Sequence, residues 1–132
     1  MELLHKELTD KILKVYYDVY NELGYGFLEK VYQNSMYLEL KFRGFKVDAQ
    51  KQIKVNYQGY EVGVYYADLV VEDLVILELK AAECIVKDFE NQLINYLRGT
   101  EMEVGLLLNF GNKPEFIRRV YENSRKKLKI ND

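Results

Sequence analysis

The chain opens on apolar side chains at helical spacing. Leu8, Ile12, Val15, Val19 and Leu23 form one stripe and predict a helix over about 8–23. Gly24-Tyr25-Gly26 then breaks the pattern, glycine being suited to the left-handed residue that ends a helix. A second helix is expected over about 28–43, with Gly44 as its stop. On it Glu29 lies one turn from Tyr32 and Gln33 and shares their face.

The period then changes to two. Ile53, Val55 and Tyr57, a Gln58-Gly59 turn, and Tyr60, Val62, Val64 and Tyr66 predict a hairpin. Its second strand runs on through Ala67-Asp68-Leu69-Val70-Val71 to a Glu72-Asp73 turn. A third strand, Leu74-Val75-Ile76-Leu77-Glu78-Leu79-Lys80, follows. On the pleat Tyr66, Asp68 and Val70 are expected to face one way, and Ile76, Glu78 and Lys80 to share a face of their own strand.

Helical spacing returns at Val86, Phe89, Leu93, Tyr96 and Leu97, and Gly99 ends it. Residues 104–110 form a short apolar run with the character of a buried strand, so strand, helix, strand implies a right-handed parallel crossover. Pro114 is well placed to open a final helix with Ile117, Val120, Tyr121, Ser124 and Leu128 inside. The expected architecture is an α/β sandwich. Helices precede three mainly antiparallel strands, then come a helix, a strand added in parallel and a closing helix.

Three charges do not fit this apolar pattern. Asp68, Glu78 and Lys80 lie in strands that otherwise leave little room for water. An isolated charge in such a place shifts its pKa, finds a partner or binds a metal. Composition narrows the options. With one histidine, His5, and one cysteine, Cys84, structural zinc and histidine-dependent triads are disfavoured. A metal here would be a hard cation on oxygen ligands, Mg2+ or Mn2+.

The single cysteine fits a reducing cytoplasm, and no apolar run reaches membrane-spanning length. Residues 1–7 alternate charge with apolar side chains and do not resemble a signal peptide. The 132 residues are expected to form one domain over 1–132. Twelve tyrosines and six phenylalanines suit either half-buried packing or a wet groove. A net charge of −2 provides no general attraction to phosphate. It conceals a cluster of Arg118, Arg119, Arg125, Lys126, Lys127 and Lys129, which suits phosphate contacts or a solvated helix end equally.

Asp68, a gap, then Glu78-x-Lys80 resembles the D…ExK pattern of the PD-(D/E)xK nuclease superfamily, a weak signal alone. The surrounding blocks are more specific. Gly24-x-Gly26-x-x-Glu29-x-x-Tyr32 resembles the signature of the GxxExxY family within it. Ala67-Asp68-Leu69-Val70-Val71-Glu72, Glu78-Leu79-Lys80-Ala81, Gln92-Leu93-Ile94-Asn95-Tyr96-Leu97 and Gly105-Leu106-Leu107-Leu108-Asn109-Phe110-Gly111 resemble its later blocks in order. Near positions 20 and 89, where that family often carries histidine, stand Tyr20 and Phe89. Ala67 precedes the aspartate in place of proline.

The resemblance implies a restriction-endonuclease-like fold with an α-β-β-β-α-β core and metal-dependent hydrolysis of nucleic acid, DNA favoured over RNA. Asp68 and Glu78 would hold Mg2+ or Mn2+, with the Leu79 carbonyl a further ligand, and Glu29 could bind a second metal, directly or through water. Lys80 would orient the attacking water and stabilise the transition state. Gln92 would orient Lys80 or a water. Tyr96, with Arg118 and Arg119, would contact substrate.

Each has a plainer reading. Asp68 and Lys80 could form an ion pair, Glu29 could be a solvated first-turn residue, Gln92 a backbone cap and Tyr96 core packing. For the whole chain, the competing reading is a non-enzymatic module that binds nucleic acid or protein. Hydrolysis of a small phosphate compound is a third. The small size is compatible with a homodimer that builds the substrate cleft jointly.

Overall fold

The computed structural model describes residues 4–126. Two helices, α1 (Lys6–Leu23) and α2 (Glu29–Phe42), precede strands β1 (Val47–Tyr57), β2 (Tyr60–Val71) and β3 (Val75–Lys80). Helix α3 (Lys87–Gly99), strands β4 (Val104–Phe110) and β5 (Pro114–Val120) and a 3-10 turn (Asn123–Arg125) follow. The strands form one sheet in the order β1-β2-β3-β4-β5. Only the β3–β4 pair is parallel, the crossover being made by α3. This is the mixed-sheet α/β sandwich of the restriction-endonuclease-like type.

Two cores sandwich the sheet. Ile12, Val15 and Tyr16 of α1 and Tyr32, Met36 and Leu40 of α2 pack on Leu69, Val71, Leu77, Leu79, Leu106 and Leu108. On the other face Leu93 and Leu97 of α3 cover Ile53, Ala67, Val70, Ile76 and Leu107. Burial of apolar side chains on both faces is why β3 and β4 read as near-continuous hydrophobic runs.

Two expectations need correction. The segment opened by Pro114 is a strand, not a helix: it pairs antiparallel with β4 from Pro114↔Phe110 to Val120↔Val104. Proline is tolerated at the first residue of an edge strand, where no ladder donor is needed. Ile117 and Tyr121 pack beneath α3 while Val120 packs on the α1 side, so the apparent helical stripe combined two faces of a strand. Ser124 lies in the 3-10 turn, and Leu128 lies outside the described residues.

Tyr66, Asp68 and Val70 do not share one face either. Tyr65 and Ala67 join Val70 in the α3-side core, whereas Tyr66 is exposed. The alternation slips at Asp68, where the β1–β2 ladder omits the pair with Gln50, a residue with left-handed backbone at φ 52°. Such irregularities re-aim side chains next to functional sites.

Candidate active site

The β2–β3 ladder runs from Val71↔Val75 only as far as Leu69↔Leu77. One residue further the aspartate side chain takes over from the backbone: Leu79 N–H donates to Asp68 Oδ2 at 2.9 Å. Asp68 is thereby fixed against β3. On β3, Ile76 faces α3, and period two places Glu78 and Lys80 on that same face. Lys80 Nζ lies 4.8 Å from the ring centre of Phe89 on α3, a cation–π contact that holds the ammonium over the site.

Glu78 is the least satisfied group of the cluster. Its Oε1 is buried and has no hydrogen-bond partner among the described residues. Burial, and then the charge and hydrogen bond of Asp68, push its carboxyl up to about 9, with Lys80 opposing. Glu29, first residue of α2, reaches the same place from the opposite layer. Its carboxyl is also raised, chiefly by burial, while the charge of Lys80 and the N–H of Ala81 oppose that shift. Two carboxyls thus share a low-dielectric site with one ammonium, an arrangement typical of functional sites.

The loop before α2 explains the spacing of its residues. Gly24 and Gly26 take left-handed backbone, φ 70° and 108°, which a side chain would strain. Tyr32 then clamps the loop: its hydroxyl donates to Gly24 O at 2.7 Å and accepts from Phe27 N–H at 3.2 Å. Its ring stacks on Phe110 at 4.2 Å. Glu29, one turn before, is therefore delivered to the end of β3.

The remaining expected residues divide. Tyr96 lies in the field of Glu78 and Asp68, which with burial raises its hydroxyl. Gln92 Nε2 donates to Tyr96 OH at 2.7 Å; its amide is engaged there and not with Lys80. Arg118 donates Nε to Thr9 Oγ1 at 3.3 Å and Nη2 to Leu4 O, tying β5 to α1. Arg119, on the other face, pairs with Glu90 of α3, Nε to Oε2 at 2.8 Å. Lys126 is buried and donates to Thr100 O and Met102 O at 2.7 and 2.8 Å. The basic cluster is therefore dispersed, and Lys127 and Lys129 lie outside the described residues.

Three contributors escaped the sequence reading. Tyr65 stacks on Tyr96, rings 3.6 Å apart and 9° from parallel, with its hydroxyl buried, unpartnered and exposed to the charge of Glu78. No signal distinguishes it among twelve tyrosines. Asn109 grips the chain after Lys80 by accepting from Ala82 N–H and donating to Ala82 O, both at 3.0 Å. An amide inside the apolar run of β4 was a legible signal. Tyr20 donates to Gly111 O at 2.7 Å, so at one position where histidine is common the tyrosine joins α1 to the end of β4.

The donors suit a hard cation. Two carboxylates come from neighbouring strands, and one presents an oxygen that no protein group satisfies. Among the described residues no three acidic, thiol or imidazole side chains come close enough together to hold a metal ion, so Glu29 neighbours Asp68 and Glu78 without completing a three-ligand set. The other ligands would be a backbone carbonyl and water, as Mg2+ commonly retains.

Residues 6–120 match the family model described as the PD-(D/E)XK nuclease superfamily. Among solved structures the chain is similar to that of SSO0001, with a TM-score of 0.54 and 17% identity over 70% of this chain. The match covers 50% of the SSO0001 chain, and at that identity the likeness is one of fold. No curated protein matches.

Proposed function

Since the chain belongs to the PD-(D/E)XK nuclease superfamily, we propose that it hydrolyses phosphodiester bonds in nucleic acid, DNA in preference to RNA, as a GxxExxY-type member acting alone or as a homodimer. The observation that carries this reading is the partnerless Glu78 Oε1 beside Asp68, under the ammonium of Lys80. Asp68, Glu78 and the Leu79 carbonyl would hold Mg2+ or Mn2+, with Glu29 as an outer or second ligand. When bound, such a cation supplies Lewis acidity at the phosphate and lowers the pKa of water.

The chain's own groups do the rest. Asp68, anchored by Leu79 N–H, keeps its carboxylate at the open end of the hairpin. Lys80 holds the attacking water in line and stabilises the negative charge that grows on the phosphate oxygens. Phe89 limits where that ammonium can go. Gln92 and Tyr96 act as a hydrogen-bonded unit facing the substrate. Arg118 and Arg119, engaged with Leu4, Thr9 and Glu90, contribute to phosphate attraction through their field and not by direct contact. The exposed Cys84 supports a reducing cytoplasm as the place of action.

The test is Mn2+ titration calorimetry followed by cleavage assays. Wild-type protein should bind the ion and Glu78→Ala should not. Lys80→Ala should keep the ion yet lose cleavage by about a hundredfold or more. Undiminished cleavage by Lys80→Ala would overturn the role given to Lys80, and no ion binding at millimolar concentration even with DNA present would sink the proposal and leave a binding module.

A further inference from the structure

Directly off the end of β3 opens a cleft of about 520 Å3, inside the size range of small-ligand sites. It is lined by the glycine loop with Tyr25 and Phe27, by Ala81, Ala82 and Glu83 of the chain after β3, and by Asn112 beyond β4. Tyr25 is 62% exposed and Phe27 47%, so both aromatic faces are available.

Two parts of this lining are held before any ligand arrives. Tyr32 fixes the loop by its two hydroxyl bonds, and Phe27 packs edge-on to the same ring at 6.1 Å. Asn109 fixes the chain after β3 through both backbone groups of Ala82. A lining set in advance lowers the ordering cost of binding.

The lining chemistry selects the occupant. No lysine or arginine lines the cleft among the described residues, and its one charged side chain is the carboxylate of Glu83. That combination repels a phosphate. It suits a flat, uncharged ring with N–H groups, stacked on an aromatic face while an amide and a carboxylate read its edge. The lining is continuous with the proposed site, because Ala81 follows Lys80 in the chain and its N–H lies near the carboxyl of Glu29. A base seated here belongs to a strand whose phosphate lies at Asp68 and Glu78.

We infer that this cleft takes one unstacked nucleobase next to the reacting phosphate, which makes single-stranded or frayed nucleic acid the preferred substrate. A base inside a duplex has its faces covered by its neighbours and its edge paired, so it cannot enter without leaving the stack. The inference rests on the proposed nuclease reading for the position of the phosphate.

The test uses the Lys80→Ala background, so that turnover does not interfere. Its probe is a single-stranded DNA of about ten nucleotides, within the range of single-strand binding sites, carrying 2-aminopurine, whose emission falls on stacking. The parent should bind it with quenching. Adding Tyr25→Ala should weaken binding about tenfold and remove the quench, in line with the worth of one base–aromatic stack. Tyr25→Trp should restore both, and binding of a blunt duplex should be insensitive to either change. Parent-like binding and quenching in Tyr25→Ala and Phe27→Ala alike, or no binding of the single strand by the parent, would overturn the inference. Failure of the nuclease reading looks different: the strand binds and quenches normally, yet wild-type protein with Mn2+ leaves it uncut.

Discussion

Charge is handled in opposite ways along the edge strand β5 and at the end of the inner strand β3. Along β5 each arginine is matched: Arg119 to Glu90, and Arg118 to Thr9 and the Leu4 carbonyl. Even the buried Lys126 meets two carbonyls. At the end of β3 the reverse holds. Glu78 Oε1 and Tyr65 OH are buried with no partner among the described residues, and burial, followed by the charge of Asp68, raises the carboxyls of Glu78 and Glu29 above their ordinary range. A buried polar group left unpaired costs about 1–3 kcal/mol. Stability alone would not select such groups. The satisfied end holds the fold together, and the unsatisfied end is free to bind something else.

The largest effect that would sharpen this contrast is on pH dependence. Burial pushes the folded carboxyl of Glu78 up to about 9, from an ordinary value of 4.5. The folded state therefore holds the proton more tightly, and the associated stability is complete at low pH and lost as pH rises toward 9. Thermal melts in chelator should fall between about pH 5 and 8, by an amount on the order of a few kcal/mol. Glu78→Gln should flatten that slope, and Mn2+ should restore the wild-type at the upper end. The window stops at 8 because Lys126, depressed by burial to about 8, gains stability as pH rises beyond it. A flat wild-type profile would mean the carboxyl is hydrated or paired after all.

A smaller effect is expected at the satisfied end. Glu90→Ala leaves Arg119 without its carboxylate and should lower the urea midpoint only slightly, because Arg119 is solvent-exposed. Cleavage should stay within about twofold, since no group at the site loses a contact. A collapse of activity without loss of stability would move Arg119 into the substrate path. Smallest of all is Tyr65→Phe. It deletes a hydroxyl that has no partner, so stability should hold within about 0.5 kcal/mol or rise. A loss beyond about 1 kcal/mol would reveal a hydrogen bond to that hydroxyl and erase the contrast at this position.

Most of the framework was legible in the residues. A helical stripe, a second helix stopped at Gly44, a shift to period two and a return to helical spacing reproduce α1, α2, the three consecutive strands and α3 in order. Asp68, Glu78, Lys80 and Glu29 were legible because charges in an apolar strand, or at fixed spacing after paired glycines, are conspicuous. β5 was not legible. Ile117, Val120 and Tyr121 satisfy helical spacing as well as they satisfy two faces of a strand, and only the free edge of β4 decides between them.

By itself, then, the sequence determined which segments alternate and with what period, and which charges cannot be solvated where they sit. Both are properties of neighbours along the chain. Tertiary structure alone decided that Tyr65 would stack on Tyr96, that Asn109 would clamp Ala82, and that the glycine loop would face the end of β3 across a cleft. These contacts join residues far apart along the chain, and no local period encodes them. They depend on two layers closing on one sheet from opposite sides, which sets which side chains meet at its edge.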